Sequence, residues 1–230
     1  MAAGSAILSA ANWILVYTSF REMRAPGQTV LERRAYHLTS LFRRVDLPGV
    51  GRANLLWFLY LLAFSGMEFT LTFLAAERFG YAPRQISYLF VFAGLIMVIV
   101  QGGLIRRMAP LYGERRLVLA GLLLVIPGFV LTGLASREGG LYLGLGLMSV
   151  GSALLSPATT ALVSLYTGPD RQGYALGIFR SLGALARAVG PLAACAVYWS
   201  GGPTAPYLAG AALVVVPLVI AFGLPEPERP

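Results

Sequence analysis

Charge is what this chain has least of. Only 12% of its 230 residues are charged, against about 25% in a typical soluble domain, which excludes an ordinary water-soluble enzyme. Lysine is missing altogether: all 18 basic residues are arginine, set against 10 acids for a formal charge of +8. Cys195 is the single cysteine and stands in an apolar run, so an internal disulfide is excluded and a helix-packing role remains. His37 is the single histidine, which rules out a two-histidine metal site and leaves a Ser-His-Asp triad without a nucleophile motif to build on. The sequence predicts no metal, no cofactor and no enzymatic activity. Disorder is excluded from the other side, because 57% of the residues are hydrophobic where a disordered chain needs low hydrophobicity.

What the chain does have is long apolar runs. About 20 such residues span the hydrocarbon core as a helix, and seven windows approach or exceed that length: 2–20, 53–76, 86–105, 117–134, 141–165, 175–199 and 206–223. Backbone polar groups in lipid must be paired within the segment, so helices are expected. The predicted fold class is an all-α membrane protein with seven transmembrane helices. The first window has no basic segment before it, and Arg21 and Arg24 follow it; it reads as a retained span rather than a signal peptide. The expected order is a helix at 1–20, a basic loop at 21–52, a six-helix unit at 53–223 and a tail at 224–230. Within 29–44, Leu31, Leu38, Leu41 and Phe42 recur at helical spacing among Arg33, Arg34, Arg43 and Arg44. That pattern suits an amphipathic helix at the membrane interface or a solvated basic loop.

Arginine placement sets direction. Thirteen arginines fall in the segments on one side of the predicted spans and three on the other. Since the excess marks the cytoplasm, the N-terminus is expected outside and the long loop and C-terminus inside. The arginines form short clusters instead of one basic face interleaved with aromatics, so the expected partner is a lipid bilayer and not nucleic acid.

Charges inside a span are costly and mark functional positions. Three fall within the windows: Glu68, Arg180 and Arg187. Glu68 lies about 22 Å and Arg187 about 18 Å into their spans from the same side, close enough for a structural ion pair. The other reading is that Arg187 attracts an anionic group while Glu68 carries protons or competes for Arg187. Arg180, seven residues before Arg187 and on nearly the same helix face, is placed to snorkel toward lipid phosphates. The same window holds Gly177, Gly183, Gly190 and Pro191 among several alanines, which predicts close helix contact and a bend. The hydroxyls Ser149, Ser152, Ser156, Thr159, Thr160 and Ser164 suit interhelical hydrogen bonds or a cavity wall. No phosphate-cradling Gly-x4-Gly-Lys motif occurs.

The segment Gly102-Gly-Leu-Ile-Arg-Arg-Met-Ala-Pro-Leu-Tyr-Gly-Glu-Arg-Arg116 resembles the basic turn that follows the eighth helix in the major facilitator superfamily. Gly177-x8-Ala186-x3-Gly190-Pro191-x2-Ala194 is similar to the eleventh-helix pattern of its drug:proton antiporters. The stretches Phe64-Ser-Gly-Met-Glu-Phe-Thr-Leu-Thr-Phe73 and 180–199 resemble its tetracycline-transporter-like branch, whose members are proposed organic anion transporters. A complete member has twelve helices in two halves with the site between them, so the chain is expected to match helices six to twelve, a C-terminal half plus one helix. The resemblance implies a secondary transporter of small organic solutes, organic anions or amphiphilic drugs, working by proton-coupled alternating access. It implies Glu68 and Arg187 on the substrate and ion pathway, and Arg180, Gly103, Arg106, Arg107, Arg115 and Arg116 in cytoplasmic gating. The alternatives are a non-transporting scaffold or regulatory half that binds a full-length partner, and a half-transporter that dimerises.

Overall fold

The computed structural model describes residues 9, 12–15, 17–18 and 49–226. It comprises two units, Met1–His37 and Leu38–Pro230. In the first, the described residues are helical and Trp13 stacks on Tyr17, ring centroids 5.9 Å apart. The rest of the span expected at 2–20, and the interfacial helix expected at 29–44, lie outside the described residues.

The described part of the second unit is built of helices joined by short turns. α1 (Val50–Phe79) is followed by α2 (Pro83–Ile99), which passes through a π turn (Val100–Leu104) into α3 (Ile105–Tyr112). Next come α4 (Glu114–Leu134), α5 (Glu138–Leu165), a 3-10 turn (Pro169–Arg171), α6 (Gln172–Gly201) and α7 (Ala205–Phe222). Six stretches among the described residues are long and apolar enough to cross a membrane, one of them the joined Pro83–Tyr112.

The helices overrun the apolar windows because hydropathy sees only the hydrocarbon layer, while helical hydrogen bonding continues until a breaker intervenes. α1 runs on past Ala76 to Gly80, which adopts a left-handed conformation (φ 66°) open to glycine. There the Gly80 and Tyr81 amides donate to the Ala76 and Ala75 carbonyls at 3.1 and 3.2 Å, closing the helix end. α2 opens on Pro83, with the Ala82 amide donating to the Gln85 side chain at 2.9 Å. Pro191, expected to bend its span, lies inside α6, which continues as one helix from Gln172 to Gly201.

α4 lies along α5, α1 lies along α6, and α7 bridges α1 and α4, while α2 leans mainly on α5. Lipid gives helices no hydrophobic reason to associate, so close backbone contact has to hold them. Small residues supply it: a Cβ on Gly121 would stand 2.7 Å from the Gly151 carbonyl oxygen, and one on Gly128 would stand 3.0 Å from that of Gly144.

Arginines tie the helix ends. At one end of the bundle Arg78 donates to the carbonyls of Gly133 (2.6 Å) and Ala135 (3.1 Å) and to the Thr204 hydroxyl (2.7 Å). One guanidinium thereby holds the end of α4 and the start of α7 against α1. At the arginine-rich end Arg52 donates to the Gly223 carbonyl at 2.5 Å and Arg115 to that of Phe222 at 2.7 Å. These carbonyls lack helical partners, and the cations oppose the negative end of the α7 dipole.

Candidate functional site

Between α1, α2, α5 and α6 lies a cavity of about 300 Å³ that both Glu68 and Arg187 line. Its α1 wall is aromatic. Trp57 stacks on Phe179 of α6 at 5.0 Å, and Tyr60 tilts against Phe64 at 5.7 Å. Met67, Met97 and Met148 add thioethers, and Ser149, Ser152 and Ser156 put hydroxyls along the α5 side.

The hydroxyl row fills the two roles expected of it only in part. Tyr60 donates to Ser152 at 2.7 Å across α1 and α5, a buried interhelical bond. Ser149, Thr159 and Thr160 instead donate to the carbonyls of Leu145, Leu155 and Ser156, one turn back in their own helix. Ser164 accepts from the Gln172 side chain at 2.8 Å, outside the cavity.

The register of α6 on α1 places the two charges. Gly66 meets Gly190, where a Cβ on Gly66 would stand 3.0 Å from the Gly190 carbonyl oxygen. Ser65 donates to the Ala186 carbonyl at 3.2 Å, and Tyr198 donates to Glu77 at 2.5 Å further along the same pair. The contacts Trp57 to Gly183, Gly66 to Gly190 and Glu77 to Tyr198 advance together, so the helices run parallel. Glu68 lies two residues beyond its contact point and Arg187 three before its own, an axial offset of about 7 Å.

That offset accounts for a missing bond. Glu68 and Arg187 are exposed on the cavity, and the one ion pair among the described residues is Arg115 with Glu226 at 3.7 Å. The structural ion pair between Glu68 and Arg187 does not form, although both charges lie within electrostatic reach of the Tyr60 hydroxyl. Pro191 adds a further polar group: it has no N–H, so the Arg187 carbonyl four residues earlier lacks its helical donor.

The other expected residues divide. Gly183 and Gly190 face α1, whereas a Cβ on Gly177 would meet open space. Arg180, Arg106, Arg107, Arg116 and Gly103 are exposed and do not line the cavity. Arg115, grouped with them by sequence, is half-buried and holds the end of α7.

Sequence reasoning passed over Gln101, which lines the cavity from inside the π turn; its signal was an amide side chain within an otherwise apolar run. It also passed over Glu77 and Arg78, which lie just beyond the apolar window yet inside α1. Chemically, the cavity offers apolar and aromatic walls for an organic body, hydroxyl and amide groups to orient it, and one charge of each sign without a bonded partner among the described residues.

The chain as a whole is similar to known proteins. The profile of the Major Facilitator Superfamily matches residues 56–230. The mouse protein described as major facilitator superfamily domain-containing protein 10 is 40% identical over 183 residues, covering 80% of this chain and 40% of its own length. The bovine protein of the same description is 37% identical over 223 residues, 90% of this chain and 49% of its own. A crystal structure described as the human organic anion transporter MFSD10 (TETRAN) superposes with a TM-score of 0.73 at 38% identity, over 80% of this chain and 44% of that one. The chain therefore spans under half the length of these relatives.

Proposed function

The chain belongs to the major facilitator superfamily, and on that premise we propose that it forms the C-terminal half, with one preceding helix, of a secondary transporter for small organic anions. One observation carries the reading: Glu68 and Arg187 line the same cavity of about 300 Å³ and form no bond with each other. The similarity to a structure described as an organic anion transporter supports it.

In this reading Arg187 attracts the anionic group of the substrate, and the aromatic walls strengthen the attraction by displacing water. The organic body rests against Trp57, Tyr60 and Phe64. Glu68 takes up and releases the coupled proton, its charge and that of Arg187 balancing when the site is empty. Rocking of this half against the other exposes the cavity to each side in turn. Arg180 and the exposed Arg106, Arg107 and Arg116 act at the cytoplasmic mouth, Arg115 holds α7 beside them, and the N-terminus lies outside.

The test is uptake of fluorescein, an aromatic organic anion, by proteoliposomes holding the full-length protein, with and without a proton gradient. Arg187→Ala is expected to abolish uptake and Glu68→Gln to abolish its pH dependence. Folding should survive both, since neither side chain bonds another described residue. Unchanged uptake and pH dependence in both variants would overturn the assignment.

A further inference from the structure

The packed positions of the Pro83–Tyr112 span change their spacing once. From Ile86 they fall at Leu89, Phe92, Ala93, Ile96, Met97 and Val100, the three-to-four-residue repeat of one α-helical face. The next is Ile105, five residues on, followed by Met108 and Ala109. The jump is the π turn Val100–Leu104, closed where the Ile105 amide donates to the Val100 carbonyl. One added residue rotates everything beyond it by about 100° relative to an unbroken α-helix.

That rotation decides where Arg107 sits. In an unbroken helix the packed face after Val100 would carry Leu104, Arg107 and Leu111. In the structure Arg107 is exposed, and Leu104 and Leu111 are 43% and 75% exposed. The sequence therefore holds two apolar stripes, one for each register: Ile105, Met108 and Ala109 pack now, and Leu104 and Leu111 stand ready for the other. The registers differ in charge, because only the α register brings Arg107 onto the packed face, about 9 Å along the helix from Gln101.

The turn has room to change. Gly102 and Gly103 have nothing within 4 Å of where a Cβ would stand, and the residues by which α3 packs beyond them are only partly buried. Gln101, inside the turn, lines the cavity, so the element that would move is in contact with whatever occupies the site.

We propose that Val100–Leu104 is a register switch, in which an organic anion in the cavity converts the π turn to α-helix and draws Arg107 inward. This rests on the anion reading of the cavity. With the site empty, a guanidinium on the packed face lacks a counter-charge, and the π register keeps it in the open. A bound carboxylate supplies that charge. Leu104 and Leu111 gain burial as Ile105 loses it, so the apolar contributions oppose each other and the charge biases the balance.

The experiment uses Ile105→Cys and Leu111→Cys as single cysteines in the full-length protein in proteoliposomes, with Cys195 and every other native cysteine replaced by alanine, labelled with a maleimide. Without ligand Leu111→Cys labels faster than Ile105→Cys; saturating fluorescein inverts the order. Deleting Gly102 brings Ile105 to four residues after Val100, so an unbroken α-helix keeps Ile105 packed, and fluorescein then no longer inverts the order. If the deletion variant does not insert, the fluorescein arm decides by itself. An unchanged labelling order in protein that takes up fluorescein would overturn the switch, whereas absent uptake would overturn the anion reading beneath it.

Discussion

Two alanine substitutions in one helix test the register on which the site depends. A Cβ on Gly190 would stand 2.5 Å from the Leu62 carbonyl oxygen and still nearer the Ser65 hydroxyl, while one on Gly177 would have nothing within 4 Å. Ordinary contact begins near 3.4 Å, so Gly190→Ala forces α1 and α6 apart by about 0.9 Å. The Ser65 side chain can rotate away, but the Leu62 carbonyl is fixed in the α1 backbone. Overpacking of this kind costs about 1–3 kcal/mol, against up to about 1 kcal/mol that alanine returns over glycine in a helix. Gly177→Ala should therefore stabilise the protein by up to about 1 kcal/mol, and Gly190→Ala should destabilise it by about 1–2 kcal/mol net. Thermal or detergent-induced unfolding of the two purified variants measures both. Arg187 is carried by this contact, so Gly190→Ala should also lower fluorescein uptake while Gly177→Ala leaves it intact. Equal stabilities, or a gain for Gly190→Ala, would refute the close approach of α6 to α1.

Further outcomes follow from the helix-end ties. Arg78→Ala removes the donors held by Gly133, Ala135 and Thr204 and should cost about 2–3 kcal/mol in the same unfolding measurement. Arg78→Lys should recover little of it, since an ammonium lacks the fork that spans these acceptors. At the arginine-rich end Tyr166 donates to the Pro225 carbonyl at 2.5 Å. Its phenol is pushed from 10.0 up to about 12 by burial, against the opposing pull of Arg115 and with Glu114 adding to the rise. The folded state thus holds the neutral phenol at pH values where the unfolded state ionises. The contribution is whole below pH 10 and is lost as pH rises toward 12. Tyr166→Phe should make the fall in stability across that range shallower; an identical slope would show that Tyr166 takes no part.

Much of this architecture was legible before any coordinates. The apolar windows located six helices because lipid leaves the backbone no other way to pair its polar groups. Glu68 and Arg187 stood out because a charge in such a run needs a reason. What the windows missed lay at their edges and in their phase. Glu77 and Arg78 fall past the last apolar residue of their run, yet they belong to α1 and bind α4, α6 and α7. Gln101 was hidden by its apolar neighbours. The spacing from Val100 to Ile105 becomes meaningful only when the packed face is known.

The depth comparison shows the same division. Counting residues from the start of each run put Glu68 and Arg187 within a few ångströms of one level and allowed a bond between them. The run boundaries are not the membrane plane, however, and the helices are aligned by where their small residues meet. Gly66 against Gly190 sets that alignment and separates the charges along the axis.

By itself the sequence determined that the chain is a set of membrane helices, which of its residues are charges out of place, and which superfamily it resembles. The first two follow from local composition, read one run at a time, and the third from the resemblance of short motifs. Only the tertiary structure decided which charges pair and which stay free, that Arg115 holds a helix end while Arg107 stands in the open, and that the Pro83–Tyr112 span changes phase at Val100. Pairing and phase depend on how helices distant in sequence slide and turn against one another, and that is settled by close contacts such as Gly66 with Gly190.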